Sequence, residues 1–195
     1  MSRKYTHHRL NVGDKFPQLK LTGMSEESIS IPDPSGMLTH LQFRRFAGCP
    51  ICNLHLRSIS NRLDEITAVA VREVVVFHST PAELRRYEDD LPFSVVGDPD
   101  KELYRRFGVE TSARAILTPG AWRALPAGWW HAIVAAITKR RALLPAKPTN
   151  GNLGLPADFL IDGDGRVAAA KYGEHAYDQW SVDELVALTR NRENA

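Results

Sequence analysis

The chain has 195 residues, two of them cysteines, with 43% hydrophobic and 25% charged residues and a formal net charge of +2. That length suits one domain with room for a sizeable core. The near-balanced charge, with no basic stripe interleaved with aromatics, argues against a nucleic-acid binder, and two cysteines are too few to staple a secreted fold.

In chain order, residues 1–10 are polar and read as a loose arm. The opening MSRKYTHHRLNVGDKF lacks the apolar core of a signal peptide, so a cytoplasmic location is expected. Asn11 to Ile31 reads as a hairpin, with strands around Leu19-Lys20-Leu21 and Ser28-Ile29-Ser30-Ile31. Pro32 to Gly36 is a loop leading into a central strand, Leu38 to Phe46, followed by an Ala47-Gly48 turn. A helix then opens on Cys49-Pro50-Ile51-Cys52, with Ile51, Leu54, Ile59, Leu63 and Ile66 along one apolar face.

Val69 to Phe77 suits a buried strand. Thr80-Pro81-Ala82-Glu83 is a capping box for a short helix to about Asp89. Phe93 to Val96 is the next strand, Asp98 the cap of the helix after it, and Gly108 that helix's end.

Thr111 to Leu155 breaks the α/β rhythm and reads as an insertion, with an amphipathic, basic-ended helix over Trp129 to Leu144. Its longest apolar-leaning stretch, Ala121 to Leu144, is interrupted by Arg123, Pro126, His131 and Lys139-Arg140-Arg141, which makes it a poor membrane span. Asp158 to Asp162 and Arg166 to Tyr172 are strands joined by a Gly163-Asp164-Gly165 turn. Ser181 to Glu184 is a second capping box, opening a last helix to about Arg190, with 191–195 a tail. The sum is an α/β domain over residues 11–190, a central mixed sheet covered by helices on both faces.

The chemistry concentrates at Cys49 and Cys52, the two cysteines of the chain. At i and i+3 on a helix they share a face, so their sulfurs can close a small disulfide ring. Cys49 falls where backbone N–H groups are unpaired and the helix dipole is positive, which favours a thiolate. Pro50 suits the first turn because its missing N–H costs the helix nothing there.

Arg44 and Arg45 point to opposite sides of the strand. Both read as solvated strand-end charges, Arg45 being the one to shape the site if either approaches the thiolate. A zinc site would draw on Cys49, Cys52 and His55. Its fourth ligand would have to be His40, His78, His131 or His175, none at ligand spacing, so no metal is expected. Haem attachment is excluded because Asn53 follows Cys52.

Three further stretches carry a resemblance. Gly13-Asp14-Lys15-Phe16-Pro17, Leu91-Pro92-Phe93 through Asp98-Pro99-Asp100 to Phe107-Gly108, and Leu155-Pro156-Ala157-Asp158-Phe159-Leu160-Ile161-Asp162 with Tyr172-Gly173 resemble the peroxiredoxin-like branch of the AhpC/TSA family. The likeness covers most of residues 11–190. It implies a thioredoxin-like fold in which a cis Pro156 packs by the disulfide, with Gly48, Pro50, Arg45 and Pro156 shaping the site. Gln42 and Phe46 stand where typical peroxiredoxins carry proline and threonine, and Leu155-Pro156-Ala157 stands where they carry an arginine.

The resemblance implies peroxide reduction, with Cys49 forming a sulfenic acid and Cys52 resolving it. It implies no cofactor beyond a thioredoxin- or glutathione-type reductant, while the charge and hydropathy patterns lead us to expect no nucleic-acid or membrane partner. Disulfide exchange with protein partners is the alternative. A non-catalytic redox-sensing or binding module is a further one, using Trp122, Trp129 and Trp130 of the insertion for contact or as a homodimer face.

Overall fold

The computed structural model describes residues 9–109 and 154–193. Strands β1 (Leu19–Thr22) and β2 (Ser28–Ile31) form the expected antiparallel hairpin, with Leu19 opposite Ile31. The main sheet contains β3 (Leu38–Arg44), β4 (Val71–Phe77), β5 (Ser94–Gly97), β6 (Ala157–Ile161) and β7 (Val167–Tyr172), in the order β5-β4-β3-β6-β7. β3, β4 and β5 run parallel, whereas β6 and β7 are antiparallel to their neighbours. The helices are α1 (Pro50–Asn61), α2 (Leu63–Ala68), α3 (Pro81–Tyr87), α4 (Glu102–Arg106) and α5 (Val182–Glu193).

β3 is the middle strand, and its alternation divides the core. Leu41 and Phe43 join Phe16, Ile29, Ile31, Tyr104, Phe107 and Phe159 in one cluster, so the N-terminal hairpin and α4 cover that face. On the other face Ile51, Leu56 and Ile59 of α1 pack with Val75, Phe77, Trp180, Val182 and Leu185. Full burial of each such side chain contributes roughly 1.5–3 kcal/mol. A parallel strand needs cover on both sides, and β4 accordingly reads as near-continuous valine.

Several local features follow from the sequence signals. Thr80 and Glu83 make both halves of the capping box on α3, and Ser181 and Glu184 do the same for α5. Asp98 accepts from the backbone N–H groups of Glu102, Leu103 and Tyr104, capping α4 from four residues upstream.

Other features depart from expectation. The long helix breaks at Arg62, so Leu63 and Ile66 belong to α2, and Leu54 is only half-buried. β4 begins at Val71 because Ala70 takes a positive φ of 54°. The last two residues of the expected arm are docked: Leu10 N donates to Tyr172 Oη at 2.8 Å, and Arg9 lies over the Tyr172 ring. The expected insertion, with Trp122, Trp129 and Trp130, lies outside the described residues apart from Gly154 and Leu155. Among the described residues no helix is long and apolar enough to cross a membrane.

The segment before β1 reaches one edge of the sheet and the β1–β2 turn reaches the other. Gly13 N donates to Val167 O and Val167 N to Asp14 O, on β7. Met24 N donates to Val95 O at 2.7 Å, on β5.

Candidate active site

Cys49 is the N-cap of α1, Pro50 fills its first turn, and Gly48 makes the preceding turn at φ +77°. A side chain at that φ would be strained, so the turn requires glycine. Cys49 N donates to Phe46 O at 3.1 Å, and Cys49 O accepts from Asn53 N at 2.9 Å. Two side chains from elsewhere hold the turn: Ala47 N donates to Ser79 Oγ at 2.9 Å and Gly48 N to Glu88 Oε1 at 2.6 Å.

Both cysteines are free and buried, Cys49 at 0% exposure and Cys52 at 1%. Arg45 Nη1 donates to Cys49 Sγ at 3.6 Å. Burial pushes the Cys49 thiol up, but a hydrogen bond from Cys52, the Arg45 guanidinium and the N–H groups of Cys52 and Ile51 together bring it down to about 6. Cys52 moves the other way, well above 9.0, through burial and the hydrogen bond and charge of Cys49. At neutral pH the pair therefore presents one thiolate and one thiol, the state needed for one sulfur to attack and the other to follow.

The arginines are not solvated strand-end charges. Arg45 is 5% exposed and turned to the sulfur, and Arg44 is fully buried. Arg44 shares the α1-facing side of β3 with His40 and Gln42, where β6 and β4 bring carboxylates to meet it. Its Nη2 donates to Asp158 Oδ1 at 2.6 Å, Gln42 Oε1 at 2.5 Å and His55 Nε2 at 3.3 Å. His40 bridges Asp158 at 3.1 Å and Glu73 at 2.8 Å, and Gln42 also donates to Glu73. Burial opposes the charge on His40, yet the two carboxylates raise its pKa to about 9. Asp158 is also opposed by burial but is held well below the usual carboxylate range by Arg44 and His40.

At the end of β4, His78 N donates to Arg45 O at 3.1 Å, and its ring meets Tyr104 edge-on. Burial and the nearby Lys101 charge hold His78 down to about 4. A Cβ on Gly154 would lie 3.4 Å from His78 Nε2 and 3.7 Å from Arg45 Cγ, so the segment entering β6 passes against these two residues.

The structure thus brings Gly48, Cys49, Pro50, Cys52 and Arg45 together. The expected cis Pro156 is corrected: the cis bond among the described residues is Ile31–Pro32, and Leu155–Pro156 is trans. Trans is the lower-energy state of X–Pro. Pro156 is carried into the β6–β7 ladder, its carbonyl accepting from Gly173 N at 2.9 Å. Tyr172 is half-buried, its hydroxyl donating to Phe107 O at 2.8 Å. Of the zinc candidates, His55 faces Arg44 and His40 is held between carboxylates. Among the described residues no group of three or more His, Cys, Asp or Glu side chains is placed to hold a metal.

Replacing Arg45 with glutamine removes the guanidinium that donates to the sulfur. The Cys49 pKa is expected to rise from about 6 by about 1 to 2 pH units, the span a close opposite charge commands. Thiolate absorbance near 240 nm against pH reads this directly, and an unmoved titration would show that Arg45 does not tune the sulfur.

The sequence model described as the AhpC/TSA family matches residues 12–170. No curated protein sequence matches the chain. Among solved structures, peroxidoxin BcpB of Mycobacterium tuberculosis is 16% identical with a TM-score of 0.65, covering 94% of this chain and 98% of its own. A cysteine-to-serine mutant of peroxiredoxin 6 from Arenicola marina is 14% identical with a TM-score of 0.67, over 94% of this chain and 74% of its own. A candidate thiol:disulfide interchange protein, DsbE, of Chlorobium tepidum is 18% identical with a TM-score of 0.57, over 95% and 97%. At these identities the structural likeness establishes the thioredoxin-like fold.

Proposed function

The chain belongs to the AhpC/TSA family of thiol oxidoreductases, and on that premise we propose that it reduces peroxides through Cys49, with Cys52 closing an intramolecular disulfide. The observation that carries this reading is the Cys49 sulfur itself, lowered to about 6 at the head of α1, with Arg45 on one side and the Cys52 thiol on the other.

The thiolate attacks one peroxide oxygen. The O–O bond breaks, the leaving alkoxide or hydroxide takes a proton to become alcohol or water, and Cys49 becomes a sulfenic acid. The Cys52 sulfur then attacks the sulfenic sulfur. The S–S bond forms as the S–O bond breaks, and the departing hydroxide leaves as water with the Cys52 proton. A thiol reductant in the cytoplasm, one dithiol of thioredoxin type or two equivalents of a glutathione-type monothiol, returns two electrons and two protons by thiol–disulfide exchange. Arg45 serves as the cation that typical members draw from the segment before the penultimate strand, where this chain has Leu155-Pro156-Ala157.

Burial of both sulfurs favours a small hydroperoxide over a protein disulfide. Disulfide exchange is the second reading, supported by the close pair of cysteines and the fold shared with an interchange protein. Stopped-flow tryptophan fluorescence of the reduced protein mixed with hydrogen peroxide, with intact mass in parallel, separates the two. Peroxide reduction predicts a rapid, saturable phase and loss of the mass of two hydrogens. Oxidation no faster than that of a free thiol sinks the peroxidase reading and leaves disulfide substrates to be tried.

A further inference from the structure

Glu88 is the C-cap of α3, forty residues from the turn it holds, and its carboxylate is buried at 1% exposure. Gly48 N donates to its Oε1 at 2.6 Å. With its amide nitrogen turned toward the carboxylate, Asn53 donates to both oxygens, at 2.8 and 3.2 Å. Gly48 and Asn53 bracket Cys49-Pro50-Ile51-Cys52, and Asn53 N also donates to Cys49 O. One carboxylate therefore grips the residue before the reactive turn and the residue after it.

That placement has an electrostatic side. The N-terminal end of α1 favours negative charge, and the Glu88 carboxyl stands there, accepting from Gly48 N. A Cys49 thiolate is a second anion on the same turn. Among the described residues, Arg45 from the end of β3, Cys52 within α1 and His78 from the end of β4, whose backbone N–H donates to Arg45 O, are ionisable groups around it. Like charges sharing a site oppose each other's ionisation, so a charged Glu88 would oppose the thiolate that Arg45 favours. Loss of the thiolate's charge, on forming either the sulfenic acid or the disulfide, relieves that opposition.

We propose that Glu88 is a positioning residue for the Cys49 reaction: its carboxylate fixes the turn that aims the sulfur and sets a fixed negative charge against which the thiolate must form. This rests on Cys49 being the nucleophile, and it concerns how reactive that nucleophile is.

The test is thiolate titration and iodoacetamide alkylation of the reduced protein against pH. Both read Cys49 without any peroxide, so failure of the peroxidase reading leaves the test intact. Glu88→Gln keeps an acceptor for Gly48 N and loses the charge. It is expected to lower the Cys49 midpoint by about 0.5 to 1 pH unit, the effect of one near like charge at intermediate dielectric, while the limiting alkylation rate stays within about twofold. Asn53→Ala removes a donor from the carboxylate and is expected to shift the midpoint the opposite way. A purely structural clamp would not produce shifts of opposite sign. A Glu88→Gln midpoint that is unmoved or raised overturns the proposal. Should that variant not fold, an Asn53→Ala midpoint that is unmoved or lowered overturns it instead.

Discussion

Cys49→Ser is expected to abolish peroxide-dependent turnover, a loss of about 10³-fold or more, because the hydroxyl has no thiolate to offer at neutral pH. Serine is a good N-cap, so the variant should fold and melt like the parent, which separates chemistry from stability. Cys52→Ser should behave differently. It leaves Cys49 with its Arg45 partner at 3.6 Å, so the first oxidation still occurs, but the sulfenic acid has no neighbour to condense with. One equivalent of peroxide is then consumed, a dione trap labels Cys49, and excess peroxide drives the sulfur on to the sulfinic acid. Steady-state peroxide consumption and intact mass distinguish the two variants. Retained disulfide-forming oxidation in either would overturn the assignment of roles.

Asp158→Ala should be the most destabilising single change away from the sulfurs. Arg44 and Asp158 are both buried at 0% exposure, and His40 leans on the same carboxylate. Removing one partner of a buried pair leaves an uncompensated charge and costs about 3–5 kcal/mol, against a total domain stability of about 5–15 kcal/mol. At this chain length that corresponds to a fall in Tm of roughly 6–20 °C. An Arg44→Met/Asp158→Leu pair should recover much of the loss, since well-packed apolar replacements of buried ion pairs are often neutral.

The pH dependence has a definite sign. The pKa of His40 is raised from 6.5 to about 9, so its contribution is complete below pH 6.5 and lost as pH rises through about 9. Asp158 is lowered from 3.8, so its contribution is present above pH 3.8 and lost on acidification below that. Urea unfolding from pH 3 to 10 should therefore show the wild type most stable between these limits. Asp158→Ala should have a flatter profile, and an equally curved one would place the pH dependence in other groups.

The parts of this molecule legible in its sequence are those whose signal is local. Cys49-Pro50-Ile51-Cys52 announces a helix N-terminus because the proline and the cap lie within four residues. Thr80 with Glu83, Ser181 with Glu184, and the Gly163-Asp164-Gly165 turn are equally self-contained. What escaped depends on residues that meet only through the sheet. Arg44 in isolation reads as a solvated cation, and its burial makes sense only once Asp158, 114 residues away, is brought alongside by the β3–β6 pairing. His40 and Glu73 meet in the same way through β3 and β4. Glu88 sits in Glu88-Asp89-Asp90, which looks like an ordinary acidic helix end, and nothing near it in sequence points to Gly48. A cis Pro156 is implied only by a resemblance and has no local signal of its own, and in the structure the bond is trans with the Pro156 carbonyl accepting from Gly173 N.

The segment spanning the two sheet edges has a bearing on self-association. Open strand edges present unpaired backbone groups to which another chain can add, and natural sheets guard them. Here the outermost strands are guarded by one stretch of chain, which bonds Val167 on β7 and Val95 on β5. Among the described residues, proteolytic clipping or truncation of residues 11–31 would remove the backbone bonds made to both edge strands and take Phe16, Ile29 and Ile31 from the cluster that holds Phe43 and Phe159. Such a product is expected to self-associate more readily than the intact chain, since strand edges that lose a neighbour can pair with another copy.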